Sequence, residues 1–166
     1  MSAPDAPLWI PIAVSVATVM AVAAAGSSLT DVGPWYKALK KPAWNPPDWA
    51  FGLIWTTVYI FVAVAAVLVW RDAQTTQDQI MILGLFAINA VLGILWNFIF
   101  FKLKRPDWAA FEILLFWASI ACLVAFFWRI SPLSSLLLLP YFTWVSIASL
   151  LNLTIVRLNH SFSVAT

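Results

Sequence analysis

Long apolar runs alternate with short polar segments along the chain. A bilayer core of about 30 Å is crossed by roughly 20 residues of α-helix. Five runs reach that length, and they cover residues 8–29, 49–70, 80–101, 108–128 and 133–156. An open strand cannot satisfy its backbone hydrogen bonds in lipid, whereas a helix can. The pattern therefore predicts an all-α protein, an integral membrane bundle of five transmembrane helices that forms one domain over residues 1–166.

The segment between the first two runs, residues 30–48, is longer than the other connections. Three Trp and three Pro fall between residues 35 and 49. Proline restricts the backbone, and aromatic rings offer large faces for contact. A plain connector needs neither property, so we expect residues 30–48 to form a rigid lid that takes part in ligand recognition. The remaining connections are short and predict antiparallel neighbouring helices.

Composition agrees with a membrane protein and narrows its chemistry. Hydrophobic residues make up 63% of the chain and charged residues 10%, whereas soluble domains carry about a quarter charged residues. The net charge of +2 makes nucleic acid an unexpected partner. The single Cys, Cys122, excludes a disulfide framework and a Cys-based metal site, and the single His, His160, lies outside the runs, which excludes a bis-His haem site. No motif of an ATP-driven pump, a zinc protease or an α/β hydrolase is present, so we expect no metal and no required cofactor.

The charged residues between the runs predict an orientation. With five spans, the first and third connections share a side with the C-terminus. Seven Lys and Arg lie on that side against two on the other, and the seven are Lys37, Lys40, Lys41, Lys102, Lys104, Arg105 and Arg157. Positive charge accumulates on the cytoplasmic side of membrane proteins. We therefore expect these connections and the C-terminus to be cytoplasmic and the N-terminus to be outside, in a membrane that the sequence does not identify.

Several features within the runs have mainly structural interpretations. Small residues on one face of the first run favour close helix packing, within the bundle or across a dimer; they are Ala17, Ala21, Ala24 and Ser28. Pro140 is expected to kink the fifth run, with Ser134, Ser135 or a neighbouring helix satisfying the freed backbone. Tryptophans at the ends of the runs are typical of an interfacial belt; they are Trp9, Trp49, Trp70, Trp108 and Trp128.

Glu112 is the one acidic or basic residue inside a run. A carboxylate within a membrane span indicates function by default. Its position, about one turn inside the fourth run, also lets the side chain reach the interface. No second acid or His accompanies it at depth to form a proton relay, so a structural role is favoured.

The third run carries polar and aromatic residues on one helical face, namely Asn89, Gly93, Trp96, Asn97 and Phe100. An unpaired amide in lipid is costly, so Asn in a membrane helix normally points inward. Two interpretations follow. The face makes interhelical hydrogen bonds, or it lines a pocket in which Gly93 leaves room for a bound group.

Tryptophan in the middle of a span is poorly explained by an interfacial belt. Trp55 in the second run has Phe51 and Tyr59 one turn away on either side, and Trp144 in the fifth run precedes Ala148 by one turn. A buried indole N–H usually has a hydrogen-bond partner. Trp55 and Trp144 are therefore predicted either to pack in the core or to form opposing walls of a flat aromatic slot.

These residues resemble the TspO/MBR family, the family of the translocator protein, also called tryptophan-rich sensory protein or peripheral-type benzodiazepine receptor. The first block of the resemblance is Trp35-Tyr36-x2-Leu39-x-Lys41-Pro42-x-Trp44-x-Pro46-Pro47-x3-Phe51-x3-Trp55-Thr56-x2-Tyr59. The second is Trp96-x3-Phe100-Phe101 with the basic Lys102-x-Lys104-Arg105. The third is Leu139-Pro140-Tyr141-x2-Trp144-x3-Ala148-x2-Leu151-Asn152. Three blocks in order, on five spans, extend over nearly the whole chain.

The resemblance implies a five-helix bundle, commonly a homodimer, with a pocket beneath the first connection. It implies porphyrins such as protoporphyrin IX, synthetic benzodiazepine-site compounds and, in animals, cholesterol as ligands. Carried over by motif, the pocket residues are Tyr36, Trp44, Pro46, Trp55, Tyr59, Trp96, Trp144 and Ala148.

Two positions depart from the family pattern. Many members have Asn three residues before the Trp of the third span, where this chain has Gly93. Asn89, one turn earlier, is our candidate for the missing amide. The animal cholesterol motif places a Tyr just after the Asn of the fifth span, whereas Asn152 is followed by Leu153, which argues against a sterol role.

The leading hypothesis is a membrane receptor or regulator that binds porphyrins between indoles, with Lys37, Lys40 or Lys41 pairing with the propionates. One alternative is a light-dependent porphyrin-degrading enzyme in which Trp55 and Trp144 are the catalytic electron donors. The other is a small transporter of tetrapyrroles or sterols, although no inverted repeat or pair of broken helices is visible in the sequence. The lipid bilayer and a second copy of the chain are the expected partners.

Overall fold

The computed structural model describes residues 7–159, and every regular element in that range is helical. The elements in chain order are α1 (Trp9–Leu29), α2 (Pro34–Ala38), α3 (Asp48–Asp72), α4 (Thr76–Asn97), a π-helical turn (Phe98–Lys102), α5 (Pro106–Ile130), α6 (Pro132–Leu137) and α7 (Leu139–Leu158). His160 lies outside the described residues.

Five segments of the described chain are long and apolar enough to cross a membrane. This confirms the predicted all-α class, and the protein is a multi-pass membrane protein. α1, α3 and α5 each form one span, α4 continues through the π turn as the third, and α6 with α7 forms the fifth. The second to fifth spans extend one to four residues beyond the apolar runs, because polar residues continue the helix at their ends. At the start of α4, for example, Thr75 Oγ1 accepts the backbone N–H of Asp78 (3.0 Å).

Helix α5 is the centre of the bundle. It packs against α4 on one side and against α6 and α7 on the other. It also contributes ten buried residues, more than any other described helix. Three apolar clusters stack along its length, centred on Ala109, Phe116 and Phe127. The other spans are therefore arranged around α5, which has a buried face along its whole length.

Helix α1 lies at the periphery, and the small-residue face predicted from its sequence is turned outward. Ala17, Ala21 and Ala24 are exposed, so the expectation that this face packs within the bundle is wrong. The one buried residue of α1 is instead Gly26, near its C-terminal end. Contacts to α3 and α4 on one side only leave the opposite side of α1 uncovered. Packing of the small face across a dimer stays a prediction.

The fifth span breaks at Leu138, two residues before Pro140. Pro140 lies in the first turn of α7, where the missing N–H leaves no helical bond unmade. The Leu138 N–H bonds to the Ser135 carbonyl in a tight turn (3.1 Å). The Ser135 hydroxyl donates to the carbonyl of Val124 on α5 (2.7 Å), so it anchors α6 to α5 and does not satisfy the backbone beside Pro140.

A buried amide joins three helices. Asn89 on α4 donates from Nδ2 to Ser119 Oγ on α5 (2.9 Å). It accepts at Oδ1 from the hydroxyl of Tyr141 on α7 (3.0 Å). All three side chains are buried. The interhelical hydrogen bond, one of the two interpretations of Asn89, is therefore present, and both ends of the amide are used.

Replacing Asn89 with Ala should destabilise the bundle because it leaves the Tyr141 hydroxyl buried without its acceptor. Interhelical hydrogen bonds in membranes are worth about 0.5–2 kcal/mol, so we expect a loss of that size in the free energy of unfolding. Reversible unfolding of the detergent-solubilised protein measures it. In a double-mutant cycle, Tyr141→Phe should add little to the loss.

Thr154→Ala is the matched control, because Thr154 is exposed and donates only to the carbonyl of Leu150 in its own helix (2.7 Å). Its unfolding free energy should stay within about 0.5 kcal/mol of the wild type. Fully additive losses for Asn89→Ala and Tyr141→Phe would show that the three-helix bond contributes nothing as a unit.

Candidate functional site

A cavity of about 460 Å³ lies beneath the lid. Its wall is built by α1, the lid helix α2, α3, the end of α4 with the π turn, α5 and α7. Six of the residues predicted for the site lie on this wall, and they are Tyr36, Trp55, Tyr59, Trp96, Trp144 and Ala148. The volume falls within the range of roughly 300–1,000 Å³ that small-molecule sites occupy.

The other four predicted residues do not lie on this wall. Asn89 and Gly93 line a second cavity on the far side of Tyr59. Trp44 and Pro46 line neither cavity within the described part of the chain. The chain turns at this point, with the Asn45 N–H bonded to the Pro42 carbonyl (3.0 Å). Trp44 lies in that turn and is 50% exposed, so it does not cover the cavity.

The space between Gly93 and α5 is already filled by a side chain of the protein. A Cβ at this position would stand 3.0 Å from Cζ of Phe116. That distance is shorter than an ordinary contact, so the glycine admits the Phe116 ring from α5 against α4. Gly93 also lines the second cavity and not the lid cavity, and room for a bound group beside it stays a prediction. Asn89 does not supply a free amide beside it, since Ser119 and Tyr141 use both of its ends.

Two pairs of aromatic rings hold the lid on the bundle. Trp35 stands edge-on to Phe100 (centroids 6.1 Å apart), and Tyr36 packs against Phe101 (5.7 Å). In a regular α-helix, consecutive residues point about 100° apart. Here a π turn, closed by the bond from the Leu103 N–H to the Phe98 carbonyl (3.0 Å), lets both Phe100 and Phe101 be buried. Such turns are frequent at functional sites.

Two lysines of the lid support its backbone. Lys41 Nζ lies 4.3 Å from the centre of the Tyr36 ring and donates to the Tyr36 carbonyl (2.7 Å). The backbone of Lys40 is clasped by Asn159, the C-cap of α7. Asn159 accepts the Lys40 N–H at Oδ1 (3.0 Å) and donates from Nδ2 to the Lys40 carbonyl (2.9 Å). The lid is thus tied directly to the end of the last span.

The lysines do not reach the cavity. Lys37, Lys40 and Lys41 are all absent from its wall among the residues described. The lid turns Lys37 and Lys40 outward, and Lys41 is engaged with Tyr36. The predicted pairing of these lysines with propionates therefore has no place inside the cavity.

The cavity wall is mostly aromatic. The Trp55 ring stacks on Tyr59 (centroids 5.5 Å apart, 29° between planes) and meets Tyr141 edge-on (6.2 Å). The Trp144 ring stands edge-on to Phe51 (5.7 Å). Trp55 and Trp144 line the same cavity. Each ring also contacts a neighbouring aromatic ring, Trp55 with Tyr141 and Trp144 with Phe51.

The polar groups on the wall differ in how they are satisfied. Trp96 Nε1 donates to Oδ1 of Asn152 (3.0 Å), whose own Nδ2 donates to the Pro106 carbonyl (2.9 Å). In contrast, Nε1 of Trp144 is buried and has no hydrogen-bond partner among the described residues. Buried indole N–H groups normally have one, so Trp144 contributes its ring, and not a hydrogen bond, to the wall.

Tyr36 and Asp48 both lie on the cavity wall, and Asp48 is exposed, so it marks the rim of the cavity. Burial raises the pKa of the Tyr36 hydroxyl above its ordinary value of 10.0, and the Asp48 carboxylate adds to the shift. Tyr36 therefore stays a neutral phenol at physiological pH. Asp48 is the one charged residue on the cavity wall within residues 7–159.

Glu112 is buried, 7% exposed, and lies outside the cavity. Neither carboxyl oxygen has a hydrogen-bond partner within the described chain. The expectation that this side chain reaches the interface is wrong, because it lies on the face of α5 that its neighbours cover.

Sequence reasoning missed two residues that shape the site, Gly26 and Asn159. Gly26 and Asn97 lie between the two cavities, where a Cβ on Gly26 would stand 3.8 Å from Asn97 Nδ2. Asn159 holds the lid. An Asn just past an apolar run is a common helix C-cap, and this was the signal available for Asn159. No local signal in the sequence pairs Gly26 with Asn97.

Comparison with known proteins places the whole bundle, not the cavity alone, in one family. The model of the TspO/MBR family matches residues 13–158. The chain is 35% identical over 139 residues to protein CrtK of Rhodobacter capsulatus (84% of this chain, 87% of that protein). It is 37% identical over 150 residues to the tryptophan-rich protein TspO of Chlorobaculum tepidum (89% and 95%). It is 33% identical over 129 residues to the human translocator protein (77% and 76%).

Replacing Asn159 with Ala should loosen the lid, because it removes both bonds to the Lys40 backbone. We expect faster hydrogen exchange at the Lys40 N–H and faster tryptic cleavage after Lys40, with little change in the midpoint of global unfolding. Mass spectrometry after brief exchange or digestion in detergent measures both rates. Thr154→Ala, one turn earlier on α7, should leave them unchanged. Equal protection in Asn159→Ala and the wild type would show that the aromatic pairs alone hold the lid.

Proposed function

The chain belongs to the TspO/MBR family, and on this premise we propose that it is a membrane receptor or regulator that binds porphyrins. The ligand class is protoporphyrin IX and related hydrophobic molecules, and the site is the cavity beneath the lid. No further cofactor is required for binding. The aromatic wall and the lid that covers it are the features that support this proposal.

The observation that carries the proposal is the aromatic wall of the cavity. Trp55 stacks on Tyr59, and Trp144 stands edge-on to Phe51 on the same wall. A porphyrin presents a flat apolar frame that stacks on indole and phenol rings.

The charge on the wall indicates how such a ligand is oriented. Asp48 at the rim disfavours a carboxylate inside the cavity, whereas Lys37 and Lys40 are exposed on the outer side of the lid. The propionates of the ligand therefore point out past the rim, towards water and the outer lysines. Stacking on the aromatic wall holds the ring inside.

The same end of the bundle carries the lid, the third connection and the end of α7, as the bonds between Lys40 and Asn159 support. We propose that this end faces the cytoplasm, since seven of the nine Lys and Arg belong to it. We also propose a homodimer. The outward small-residue face of α1 is one surface that permits close packing of a second copy.

Light-dependent oxidation of the bound ring is a second candidate function. The observation that favours it is the stacking of Trp55 on Tyr59 beside Tyr141. Indole and phenol are readily oxidised side chains, and this row can supply an electron to a photoexcited ring, which reduces the ring and oxidises the side chain. Dissolved dioxygen is the oxidant that then reacts with the reduced ring and takes up the electrons that the ring loses. Trp144 on the same cavity wall is the second candidate donor.

The double variant Trp55→Phe with Trp144→Phe tests the binding proposal. It replaces both indoles of the aromatic wall with smaller rings, and a loss of about 1.4 kcal/mol corresponds to a tenfold rise in Kd. Titration of protoporphyrin IX in the dark, followed by the absorbance of the porphyrin, measures the Kd in lipid nanodiscs. Trp128→Phe is the control, since Trp128 is exposed and lies on neither cavity wall. A Kd equal to that of the wild type in the double variant contradicts the proposal.

Illumination tests the second function separately. If Trp55 donates an electron, wild-type protein with bound porphyrin should form a product with a new absorbance band, and Trp55→Phe at saturating porphyrin should form it more slowly. Saturation removes the effect of weaker binding from the comparison. An unchanged rate in Trp55→Phe and in Trp144→Phe excludes both residues from the chemistry while leaving the binding proposal intact.

A further inference from the structure

A second cavity of about 330 Å³ lies between α1, α3 and α4, with Phe116 of α5 and Tyr141 of α7 at its back. Along α1 its wall runs from Ile10 to Gly26. At 1.5 Å per residue that stretch is about 24 Å long, most of the hydrocarbon thickness of a bilayer. We call this cavity the α1 crevice.

The α1 crevice opens sideways. Val14 on α1 and Leu83 on α4 both line it, and they are 56% and 55% exposed on the outer surface of the bundle. At the other end the two helices converge, where the Thr30 hydroxyl donates to Asn97 Oδ1 (3.0 Å). α1 and α4 therefore enclose a wedge whose mouth faces the hydrocarbon of the membrane, towards the end of the bundle opposite the lid.

The wall is uncharged and mainly apolar, and its few polar groups include the hydroxyls of Ser15, Thr18 and Tyr59. No Asp, Glu, Lys or Arg lies on it within the described residues. Its buried polar groups are already paired, since the Tyr141 hydroxyl and Ser119 occupy both ends of Asn89. A dry apolar cavity of this kind disfavours water.

The shape excludes bulky occupants. About 330 Å³ drawn out over about 24 Å makes a long, narrow space. A helix of a partner protein is about 10–12 Å across and does not fit. A single unbranched hydrocarbon chain matches the length and the narrow form.

We propose that the α1 crevice binds an acyl chain of a membrane phospholipid, drawn from the leaflet opposite the lid. The chain enters between Val14 and Leu83 and ends against the wall formed by Gly26, Tyr59 and Asn97, which the crevice shares with the lid cavity. The bound chain supplies apolar contacts to α1, which buries only Gly26 against the protein. The lipid is thereby part of the packing that holds α1 in place.

Ala90 and Ala87 on α4 provide a matched pair of variants. Ala90 lines the crevice, so Ala90→Trp fills it, whereas Ala87 is exposed and lies on neither cavity wall. The probe is phosphatidylcholine with a photoactivatable diazirine in the middle of one acyl chain, incorporated into nanodiscs with the full-length protein. Mass spectrometry after irradiation maps the labelled residues.

In the wild type and in Ala87→Trp we expect labelling at Val62 and Ala66, which lie on the α3 wall inside the crevice. Ala90→Trp should lose this labelling. Leu115, 62% exposed on the outer face of α5, should be labelled equally in all three proteins because it contacts bulk lipid. Should Ala90→Trp fail to fold, Ala66→Phe fills the crevice from the opposite wall, with labelling read at Val62.

Wild-type protein labelled at Leu115 but not at Val62 or Ala66 would overturn the proposal. The same conclusion follows if labelling at Val62 persists in the folded, filled variant. The labelling experiment uses no porphyrin, so its result does not depend on the function proposed for the lid cavity. Dark titration of protoporphyrin IX into Ala90→Trp should return the wild-type Kd, since Ala90 does not line the lid cavity.

Discussion

Four asparagine side chains tie this bundle together where lipid provides no hydrophobic drive for helices to associate. Asn89 joins α4 to α5 and α7, and Asn152 joins α7 to Trp96 and to the backbone of α5. Asn97 receives the hydroxyl of Thr30 at the end of α1, and Asn159 clasps the lid. Each amide bridges elements far apart in sequence. A buried amide without partners is costly in lipid, so these contacts favour one arrangement of the spans.

The lid depends on this framework and on a local departure from α-helical geometry. The π turn after α4 buries Phe100 and Phe101 together. Those rings receive Trp35 and Tyr36 of the lid, while the clasp at Asn159 fixes the following stretch to α7. The aromatic rings provide contact area, and the two hydrogen bonds from Asn159 orient the backbone of the lid at Lys40. Together they place Tyr36 over the cavity and leave Trp44 in an exposed turn.

The two cavities differ in the chemistry that their walls favour. The lid cavity has aromatic faces and a rim near water, which suit a flat ligand with polar ends. The α1 crevice is narrow, uncharged and open to hydrocarbon, which suits a single chain. Gly26, Tyr59 and Asn97 separate them. α1 contributes to both walls, whereas Ala90 lines the crevice alone.

The sequence alone determined the five spans and the all-α class, because span length and helical spacing are local properties, and six of the ten residues that it predicts for the site line one cavity. Spacing shows which residues share a face but not what that face meets. Only the tertiary structure decided that Asn89 is consumed by Ser119 and Tyr141, that the Phe116 ring occupies the space at Gly93, and that the alanine face of α1 turns outward. These outcomes depend on how neighbouring helices are rotated and spaced. Contacts between residues 30 or more positions apart fix that arrangement, and no local pattern encodes it.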